Sequence, residues 1–411
     1  MGDGQRFAMT ASSAIVIGGG IAGCSTAFAL AKRGLKVTLI ERNASIASAA
    51  SGNPLAMLYP RLGGDAASSR FALAAYLHSL ALFQSLQLPE ADFNQCGMLQ
   101  LGFNTRELTR IQKVASQGYP NHILRLVNCH QASALAGIKI AYDALYLPAA
   151  GWVNPKALCG RLTQHPNISI QNSQAVTAVT HNQCRTTLHF NGSTTLSADI
   201  VVIANANDAQ QLFPDMPLNT HAVRGQVSLI KASTSSRALN TILCSDGYLS
   251  PARHLRQAIA HHCLGATFST EEVDNLAVSI RDHDANLEKL KSLSPGLHEE
   301  LQNNVTDGRV SLRCAATDYW PLAGQLLDAS RLKATPPRPS ASMACLPWVE
   351  GLYLNIAHGS KGFTTAPLCA ELIAQQIVNE TSDIYREFAG LLNPNRFLLR
   401  ELGLKRLAKM R

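Results

Sequence analysis

The sequence lacks several patterns that define other classes of protein. Its ten cysteines include no CxxC pair, and their spacing suggests neither a zinc site nor a disulfide framework. Apart from one N-terminal segment that glycines interrupt, no stretch is uniformly apolar over the roughly 20 residues of a membrane helix. Charged residues make up only 16% of the chain and hydrophobic ones 46%, which excludes a disordered protein. We expect a folded, cytoplasmic protein with reduced thiols, no metal and no membrane partner.

The length and net charge narrow the class without fixing it. A chain of 411 residues is long enough for two interleaved domains or one large α/β domain with insertions. The formal net charge of +8 is compatible with a polyanionic partner such as nucleic acid or a membrane surface, and establishes neither.

The segment from Ala14 to Asn43 allows two interpretations. Its Ile-Ala-Gly-Cys at 21–24 resembles the lipobox of an exported lipoprotein. Two features oppose a signal peptide. The charges of Asp3 and Arg6 nearly cancel in the region before residue 14, where a signal peptide is positively charged. Three consecutive glycines are also unfavourable in the helical core of a signal peptide. The alternative is the first strand, turn and helix of a nucleotide-binding domain.

The nucleotide-binding interpretation explains the order of the residues. A short apolar run at 14–17 is followed directly by Gly18-x-Gly20-x-x-Gly23, a helix-period segment at 22–32 and a second β-rich run at 36–40. Glu41 follows Gly20 by 21 residues, where a carboxylate accepts hydrogen bonds from the adenosine ribose and disfavours a 2′-phosphate. These features together predict a dinucleotide fold that binds NAD or FAD.

The rest of the chain predicts further elements and two discontinuous domains. We expect strands at 168–179, 186–190, 196–205 and 351–357, and helices at 70–88, 271–293 and 366–378. The predicted nucleotide domain comprises 12–60, 145–210 and 340–390, the substrate domain 61–144 and 211–339, and a basic tail 391–411.

Five motifs resemble the D-amino-acid oxidase and glycine oxidase superfamily of FAD enzymes. They are the N-terminal fingerprint, ASGN at 50–53, RGQ at 224–226, LRCAATDYWPLAG at 312–324 and HGSKGFTTAPL at 358–368. The resemblance implies an α/β fold with a Rossmann-like FAD-binding domain and a discontinuous, mainly antiparallel substrate domain of the D-amino-acid oxidase type. ASGNPLAMLYPRL and GSKGFTTAPLCAELIAQQI resemble one branch, the bacterial oxidoreductases of tRNA 5-methylaminomethyl-2-thiouridine synthesis.

That branch implies a specific reaction, with FAD as the cofactor and tRNA as the partner. A carboxymethyl group leaves 5-carboxymethylaminomethyl-2-thiouridine at the wobble position by hydride transfer to flavin and imine hydrolysis, which gives 5-aminomethyl-2-thiouridine and glyoxylate. The enzyme is thus an oxidoreductase acting on a CH–NH group, with dioxygen reoxidising the flavin. The branch usually carries a methyltransferase before this domain, whereas 13 residues precede the first predicted strand here. We therefore expect no methylation by this chain, which either stands alone, with a separate methyltransferase as a partner, or is a piece of a longer protein.

The resemblance also implies roles for individual residues. Arg313 matches the arginine that clamps the substrate carboxylate, since a guanidinium binds a carboxylate through two hydrogen bonds. Tyr248 would add a hydroxyl to the same carboxylate, and Lys361 a positive charge near the flavin. Further substrate contacts are expected from Arg309, which shares strand parity with Arg313, and from Gln226. The expected flavin-binding residues are Gly18, Gly20, Ile21, Ala22, Gly23, Glu41, Arg42, Ser51, Gly52, Asn53, Val176, Ala204, Gly359, Ser360, Lys361, Gly362 and Phe363.

The C-terminal segment NPNRFLLRELGLKRLAKMR at 393–411 has six cations against one acid. It predicts either a solvated helix with one packed face or an element that contacts tRNA phosphates. Two other functions remain open for the whole chain. One is a small-molecule oxidase of glycine, amino acids or secondary amines, and the other is a flavin-bearing tRNA-binding module with little turnover.

Overall fold

The computed structural model describes residues 13–63, 65–182, 185–254, 259–338 and 340–409. By their contacts these residues form two compact units. The first unit comprises the described residues within Met1–Ser48, Cys159–His221 and Cys314–Arg411, and the second those within Ala49–Leu158 and Ala222–Arg313. Compact units need not be domains that fold alone, so the predicted domain boundaries stay predictions.

Strands and helices alternate along the chain. The strands are β1 (Ser13–Ile17), β2 (Lys36–Ile40), β3 (Ala56–Leu58), β4 (Phe93–Asn94), β5 (Met98–Leu101), β6 (Arg125–Val127), β7 (Ala144–Leu147), β8 (Gly151–Val153), β9 (Ile168–Gln171), β10 (Val176–Asn182), β11 (Arg185–Phe190), β12 (Thr195–Ala198), β13 (Val201–Ile203), β14 (Thr220–Lys231), β15 (Ile242–Cys244), β16 (Tyr248–Leu249), β17 (His261–Gly265), β18 (Val305–Ala316), β19 (Leu322–Leu327) and β20 (Trp348–Ile356). The α-helices are α1 (Ile21–Ala31), α2 (Ala66–Ser85), α3 (Thr105–Ala115), α4 (Cys129–Ala136), α5 (Pro155–Thr163), α6 (Ala209–Leu212), α7 (Ile280–Leu293), α8 (Pro295–Leu301), α9 (Ala329–Ala334), α10 (Gly362–Ile377), α11 (Asp383–Leu392) and α12 (Arg396–Glu401).

The first unit is built on a mostly parallel sheet with the order β19-β20-β13-β1-β2-β9. β1 pairs in parallel with both β2 and β13, and only β19 runs antiparallel to its neighbour. The strands β1 and β13 are almost wholly buried apolar residues, as expected for strands covered on both faces. Helices α1 and α10 pack against each other beside this sheet. The predicted α/β class with a Rossmann-like sheet is confirmed.

The second unit contains most of a larger, mainly antiparallel sheet with the order β18-β14-β17-β16-β15-β5-β7-β6. One pair, β15 with β5, is parallel. Met98, Leu145 and Trp152 are among the buried side chains of its core. In the described part of the chain, no helix is long and apolar enough to cross a membrane.

Three predicted helices begin elsewhere than expected, and one of them, α10, begins at Gly362 instead of residue 366. Helix α2 begins at Ala66 instead of residue 70, because the Asp65 carboxylate accepts hydrogen bonds from the amides of Ala67 and Ser68 and caps the helix there. Helix α7 begins only at Ile280 instead of residue 271. Residues 275–279 before it are held in an irregular conformation by side chains of β14.

Two predicted strands are each divided into two. The run at 168–179 forms β9 and β10, with Ser173 between them at a φ of 58°, which an extended strand does not allow. The run at 196–205 is divided between β12, which ends at Ala198, and β13, which begins at Val201. In this gap the Asp199 carbonyl oxygen lies so near Gly351 that a Cβ there would be 1.7 Å away.

Candidate functional site

The glycine-rich turn between β1 and α1 brings three backbone segments of the first unit together. Gly18 has a φ of 105°, and a Cβ on it would lie 2.6 Å from the Ala204 carbonyl oxygen. A Cβ on Gly23 would lie 1.8 Å from the Gly18 carbonyl oxygen. Glycine is therefore required at both positions, one for the turn and one for the approach of α1 to β1.

The start of α1 suits a negatively charged group. Its N-cap residue Gly20 has no side chain to cap the helix, and no acidic residue lies in the first turn, which begins with Ile21 and Ala22. The first amides of a helix point outward and carry the positive end of its dipole. This terminus therefore fits the pyrophosphate of a dinucleotide.

Glu41 is fixed at the end of β2 beside the same turn. One carboxylate oxygen accepts a hydrogen bond from the Gly19 amide at 2.7 Å. The other accepts from the Asn43 amide at 2.8 Å and from its side-chain nitrogen at 2.6 Å. Each carboxylate oxygen has two lone pairs, so the oxygen bonded to Gly19 retains capacity for a ribose hydroxyl.

Three further predicted flavin-binding residues belong to the first unit: Arg42, Val176 and Ala204. Arg42 forms an ion pair with Asp208 at 2.5 Å, and its contact with the cofactor stays a prediction. Val176 begins β10, and the Ala204 amide donates to the Ile17 carbonyl oxygen at 2.8 Å.

A neighbouring asparagine supplies an unused acceptor. The side-chain oxygen of Asn205 is buried with no hydrogen-bond partner among the described residues. A Cβ on Gly18 would come within 2.9 Å of Asn205 Cα, so this acceptor belongs to the same turn. An unpaired buried acceptor beside an open helix terminus fits a polar ligand at this place.

The second glycine-bearing turn lies against the first one. After β20 the chain forms a 3-10 turn at Gly359–Lys361, in which Gly359 has a φ of 56°, and α10 follows at Gly362. A Cβ on Gly362 would be 3.4 Å from a methyl carbon of Ile21. Ser360 and Lys361 are exposed and Phe363 is partly buried. The first unit thus brings the two predicted flavin-binding turns together.

Sequence reasoning missed a polar network behind the second turn. His358 Nδ1 lies 3.0 Å from the Thr365 hydroxyl, and Nε2 lies 3.0 Å from the Asn355 side-chain oxygen. The Asn355 amide nitrogen donates to Thr26 of α1 at 3.0 Å, so its oxygen faces the histidine and Nε2 carries the hydrogen. Although His358 keeps some exposed surface, burial lowers its pKa to about 3.

Arg313, the last residue of the second unit, is the predicted partner of the substrate carboxylate. It is only 8% exposed, and its Nη1 donates to the Thr267 carbonyl oxygen at 3.2 Å. Its guanidinium carbon lies 4.5 Å from the centre of the Phe268 ring. No carboxylate pairs with it among the described residues, and burial lowers its pKa. A buried cation without a counter-ion is unfavourable unless an anion binds beside it.

Gly225 makes room for this guanidinium. A Cβ on Gly225 would lie 1.8 Å from Arg313 Nη1 and 2.4 Å from its guanidinium carbon. The sequence alone does not predict this contact, because nothing in a local pattern indicates a neighbour 88 residues away.

Tyr248 lies near Arg313 in the same unit. Its hydroxyl oxygen is 3.9 Å from Cys263 Sγ, a weak contact that leaves hydrogen-bonding capacity. Burial raises the pKa of Tyr248, and the charge of Arg313 opposes this shift. The hydroxyl therefore stays protonated and can donate a hydrogen bond at neutral pH.

Arg309 contacts the predicted flavin loop, and its contact with the substrate stays a prediction. Its guanidinium donates to the Asn53 side-chain oxygen at 2.8 Å and to the Ala49 carbonyl oxygen at 2.6 Å. Ser51 and Gly52 lie in the buried 3-10 turn between these two contacts. In this structure Arg309 therefore positions the loop.

Gln226 and Arg224 hold the segment that precedes α7. The Gln226 side chain donates to the Ser279 carbonyl oxygen and accepts from the Ser279 amide, both at 2.8 Å. Arg224 donates to the carbonyl oxygens of Asn275 and Ala277 at 2.6 and 2.9 Å. Both ends of the Gln226 amide are thus occupied by backbone, although substrate binding by this residue stays a prediction.

The basic tail is packed into the first unit as far as it is described. Phe397, Leu398 and Leu399 are buried, and Arg396 donates to both oxygens of Asp318 at 2.6 and 2.8 Å. Lys405 and Arg406 are exposed, while Met410 and Arg411 lie outside the described residues. The tail is therefore more buried than a solvated helix, and its contact with tRNA phosphates stays a prediction.

Comparison with known proteins assigns the class. The profile of the family described as FAD dependent oxidoreductase matches residues 13–376, so the chain belongs to this family of FAD-dependent oxidoreductases. FAD is accordingly its cofactor. The open helix terminus of α1, the fixed Glu41 carboxylate and the unpaired Asn205 oxygen fit the adenosine and pyrophosphate part of that cofactor.

The similar curated proteins include tRNA 5-methylaminomethyl-2-thiouridine biosynthesis bifunctional proteins MnmC. The chain is 44% identical to MnmC of Methylobacillus flagellatus over 409 residues, which is 98% of this chain and 62% of that protein. It is 38% identical to MnmC of Ectopseudomonas mendocina, over 96% of this chain and 61% of that protein. The chain thus spans about 60% of the length of these relatives.

Solved structures confirm the D-amino-acid oxidase type of fold. Glycine oxidase from Geobacillus kaustophilus superposes with a TM-score of 0.72 at 20% identity, covering 91% of this chain and 96% of that one. L-proline dehydrogenase from P. horikoshii superposes with a TM-score of 0.75 at 18% identity, covering 98% of this chain and 99% of that one.

Proposed function

We propose that this oxidoreductase removes the carboxymethyl group from 5-carboxymethylaminomethyl-2-thiouridine at the wobble position of tRNA. The substrate's N–CH2–COO⁻ group loses a hydride from its carbon and a proton from its nitrogen. Water then hydrolyses the resulting imine to 5-aminomethyl-2-thiouridine and glyoxylate. Bound FAD supplies the two-electron acceptor for that hydride. The similarity to MnmC supports tRNA as the substrate.

Arg313 carries the proposal. Its buried guanidinium has no acidic partner among the described residues and donates one hydrogen bond to the Thr267 carbonyl oxygen. Its remaining N–H donors are therefore available to the substrate carboxylate. Tyr248, protonated because its pKa is raised, donates its hydroxyl hydrogen to the same carboxylate. The pair fixes the reacting carbon by holding the group attached to it.

The remaining assignments concern the cofactor. Gly18, Gly20, Ile21, Ala22 and Gly23 bind the pyrophosphate, and Glu41 the ribose. Further contacts come from Arg42, Val176, Ala204, Ser51, Gly52, Asn53, Gly359, Ser360, Gly362 and Phe363, and Lys361 places its charge near the flavin.

Free thiols at every described cysteine support a reducing, cytoplasmic location. A methyltransferase acting on the aminomethyl product would complete the modification.

Anaerobic flavin reduction tests the function. An anticodon stem-loop RNA carrying the carboxymethylaminomethyl base should bleach the flavin absorbance of the holoenzyme, and acid quenching should release glyoxylate in equal amount. Equally fast bleaching by glycine or N-methylglycine would instead support a small-molecule amine oxidase. Binding of the RNA without any bleaching would indicate a tRNA-binding module with little turnover.

A further inference from the structure

A short segment of the second unit exposes several large apolar side chains. Between β17 and the start of α7, the exposed fractions are 56% for Phe268, 57% for Leu276, 47% for Val278 and 79% for Ile280. Four large apolar side chains exposed within one short segment make that segment a candidate contact surface.

This segment is held firmly by its hydrogen bonds. The backbone of Ser269 pairs with that of Arg224 in both directions, at 2.8 and 2.9 Å. The Arg224 side chain and the Gln226 amide fix residues 275–279, as described above. The apolar side chains are thus displayed from an anchored backbone, and their exposure does not result from local disorder.

Phe268 has two cations close to its ring. The guanidinium carbon of Arg313 lies 4.5 Å from the ring centre and Lys289 Nζ lies 5.7 Å from it. Lys289 also donates to the Ala266 carbonyl oxygen at 2.5 Å. Two acidic residues, Asp246 and Asp282, lie near enough to Lys289 to affect its charge, and Asp246 has the larger effect. Asp282 also forms an ion pair with Arg224 at 2.5 Å.

This combination has the chemistry of a nucleic-acid contact. A half-exposed aromatic ring offers a surface on which a nucleobase stacks, and cations nearby attract the phosphates that accompany it. A free amino acid has no base to stack on the ring and no phosphate to bind a second cation, and its carboxylate is bound by Arg313. The aromatic ring and the second cation are therefore unexplained by a small substrate.

We infer that Phe268 is a stacking platform for a nucleobase of the RNA substrate, and that with Lys289 it makes the enzyme select nucleotide-borne over free N-substituted glycine. This inference rests on the proposed function. Phe268 thus determines specificity, while Arg313 binds the carboxylate common to both kinds of substrate.

Phe268→Ala and Phe268→Trp in the holoenzyme test the inference, with Ile280→Ala as the matched exposed apolar control. The readout is the apparent second-order rate of flavin reduction by the modified stem-loop and by N-methylglycine. Loss of one base stack lowers the rate about 5- to 150-fold. We expect Phe268→Ala to reduce the ratio of RNA to N-methylglycine rates by this factor, Phe268→Trp to restore it, and Ile280→Ala to leave it within twofold.

Two results would overturn the inference. Equal losses with both substrates in Phe268→Ala would mean that the ring acts only by supporting Arg313. A ratio reduced as much by Ile280→Ala would indicate that the RNA makes a general apolar contact with the segment and does not stack on Phe268 in particular. Fluorescence anisotropy of a labelled stem-loop separates this question from the proposed function. If the wild type oxidises only small amines, the proposed function is refuted. Weaker RNA binding by Phe268→Ala would still support base stacking on Phe268. Unchanged RNA binding by this variant would refute the stacking.

Discussion

The side chain of Arg313 is buried, its charge has no counter-ion among the described residues, and Gly225 leaves the space that it occupies. Its guanidinium has one backbone acceptor, an aromatic ring against one face and no carboxylate among the described residues. A cation in this condition is stabilised when an anion arrives. The residue type could be predicted from the resemblance, but its isolation from acids could not, because that depends on side chains far apart in the sequence.

Arg313→Ala should retain FAD and lose turnover. Removing one partner of a buried, hydrogen-bonded charge pair costs about 2–5 kcal/mol, so the second-order rate of flavin reduction should fall roughly 30- to 5,000-fold. Flavin absorbance of the purified protein and anaerobic reduction measure the two properties. Arg281→Ala, at a side chain that is 86% exposed, is the control. Loss of flavin from Arg313→Ala would show that the residue was assigned to the wrong ligand.

Gly225→Ala should displace the Arg313 guanidinium, because the new methyl carbon would lie 1.8 Å from Nη1. A displaced clamp lowers the rate on the order of 10²-fold. Gly296→Ala, where nothing lies within 4 Å of the added carbon, is the matched control. In the Arg313→Ala background the glycine change should have little further effect on the rate. Additive losses would contradict the account of this glycine.

At the scale of elements, local signals predict well and distant contacts do not. The fold of β1, the glycine turn and α1 could be predicted because each element has its own signal within 30 residues. The start of α7 could not, because Arg224 and Gln226 of β14 bind residues 275–279 from about 50 positions away. A helix pattern was present there, and tertiary hydrogen bonds overrode it.

Gln226→Ala should loosen the segment before α7. It removes two hydrogen bonds to the partly buried Ser279 backbone, and one such bond contributes about 0.5–1.5 kcal/mol to stability. We expect lower stability to urea and faster amide exchange at residues 275–280. The control is Gln84→Ala, at an exposed glutamine of α2. If exchange is unchanged while kcat/KM falls, Gln226 binds substrate, as the sequence predicted.

The His358 network connects β20 and α10 with α1 and makes stability depend on pH. The pKa of His358 is about 3 in the folded state and about 6.5 in an unfolded chain. As the pH falls below 6.5 the unfolded state binds a proton that the folded state excludes, so stability decreases towards pH 3.

His358→Gln should remove this pH dependence. Between pH 7.5 and pH 5 the wild type should lose about 2 kcal/mol more unfolding free energy than His358→Gln. Urea unfolding at both pH values measures the difference. Parallel losses in the two proteins would show that His358 does not titrate as its environment indicates.

For the whole molecule, the family and cofactor could be predicted from sequence, whereas the tail could not be. Its apolar residues indicated one packed face, but Arg396 proves to be buried on Asp318 and the described tail belongs to the first unit. Truncation at Asn393 would therefore remove core residues as well as charges. The net charge of +8 agrees with a polyanionic substrate, but the assignment to tRNA rests on similarity to MnmC and on the chemistry of Arg313.

Nucleoside mass spectrometry of cellular tRNA tests the central claim most directly. Cells lacking this gene should accumulate 5-carboxymethylaminomethyl-2-thiouridine, and the wild-type gene, but not one encoding Arg313→Ala, should remove it. An unchanged level of this nucleoside in the deletion strain would contradict the account.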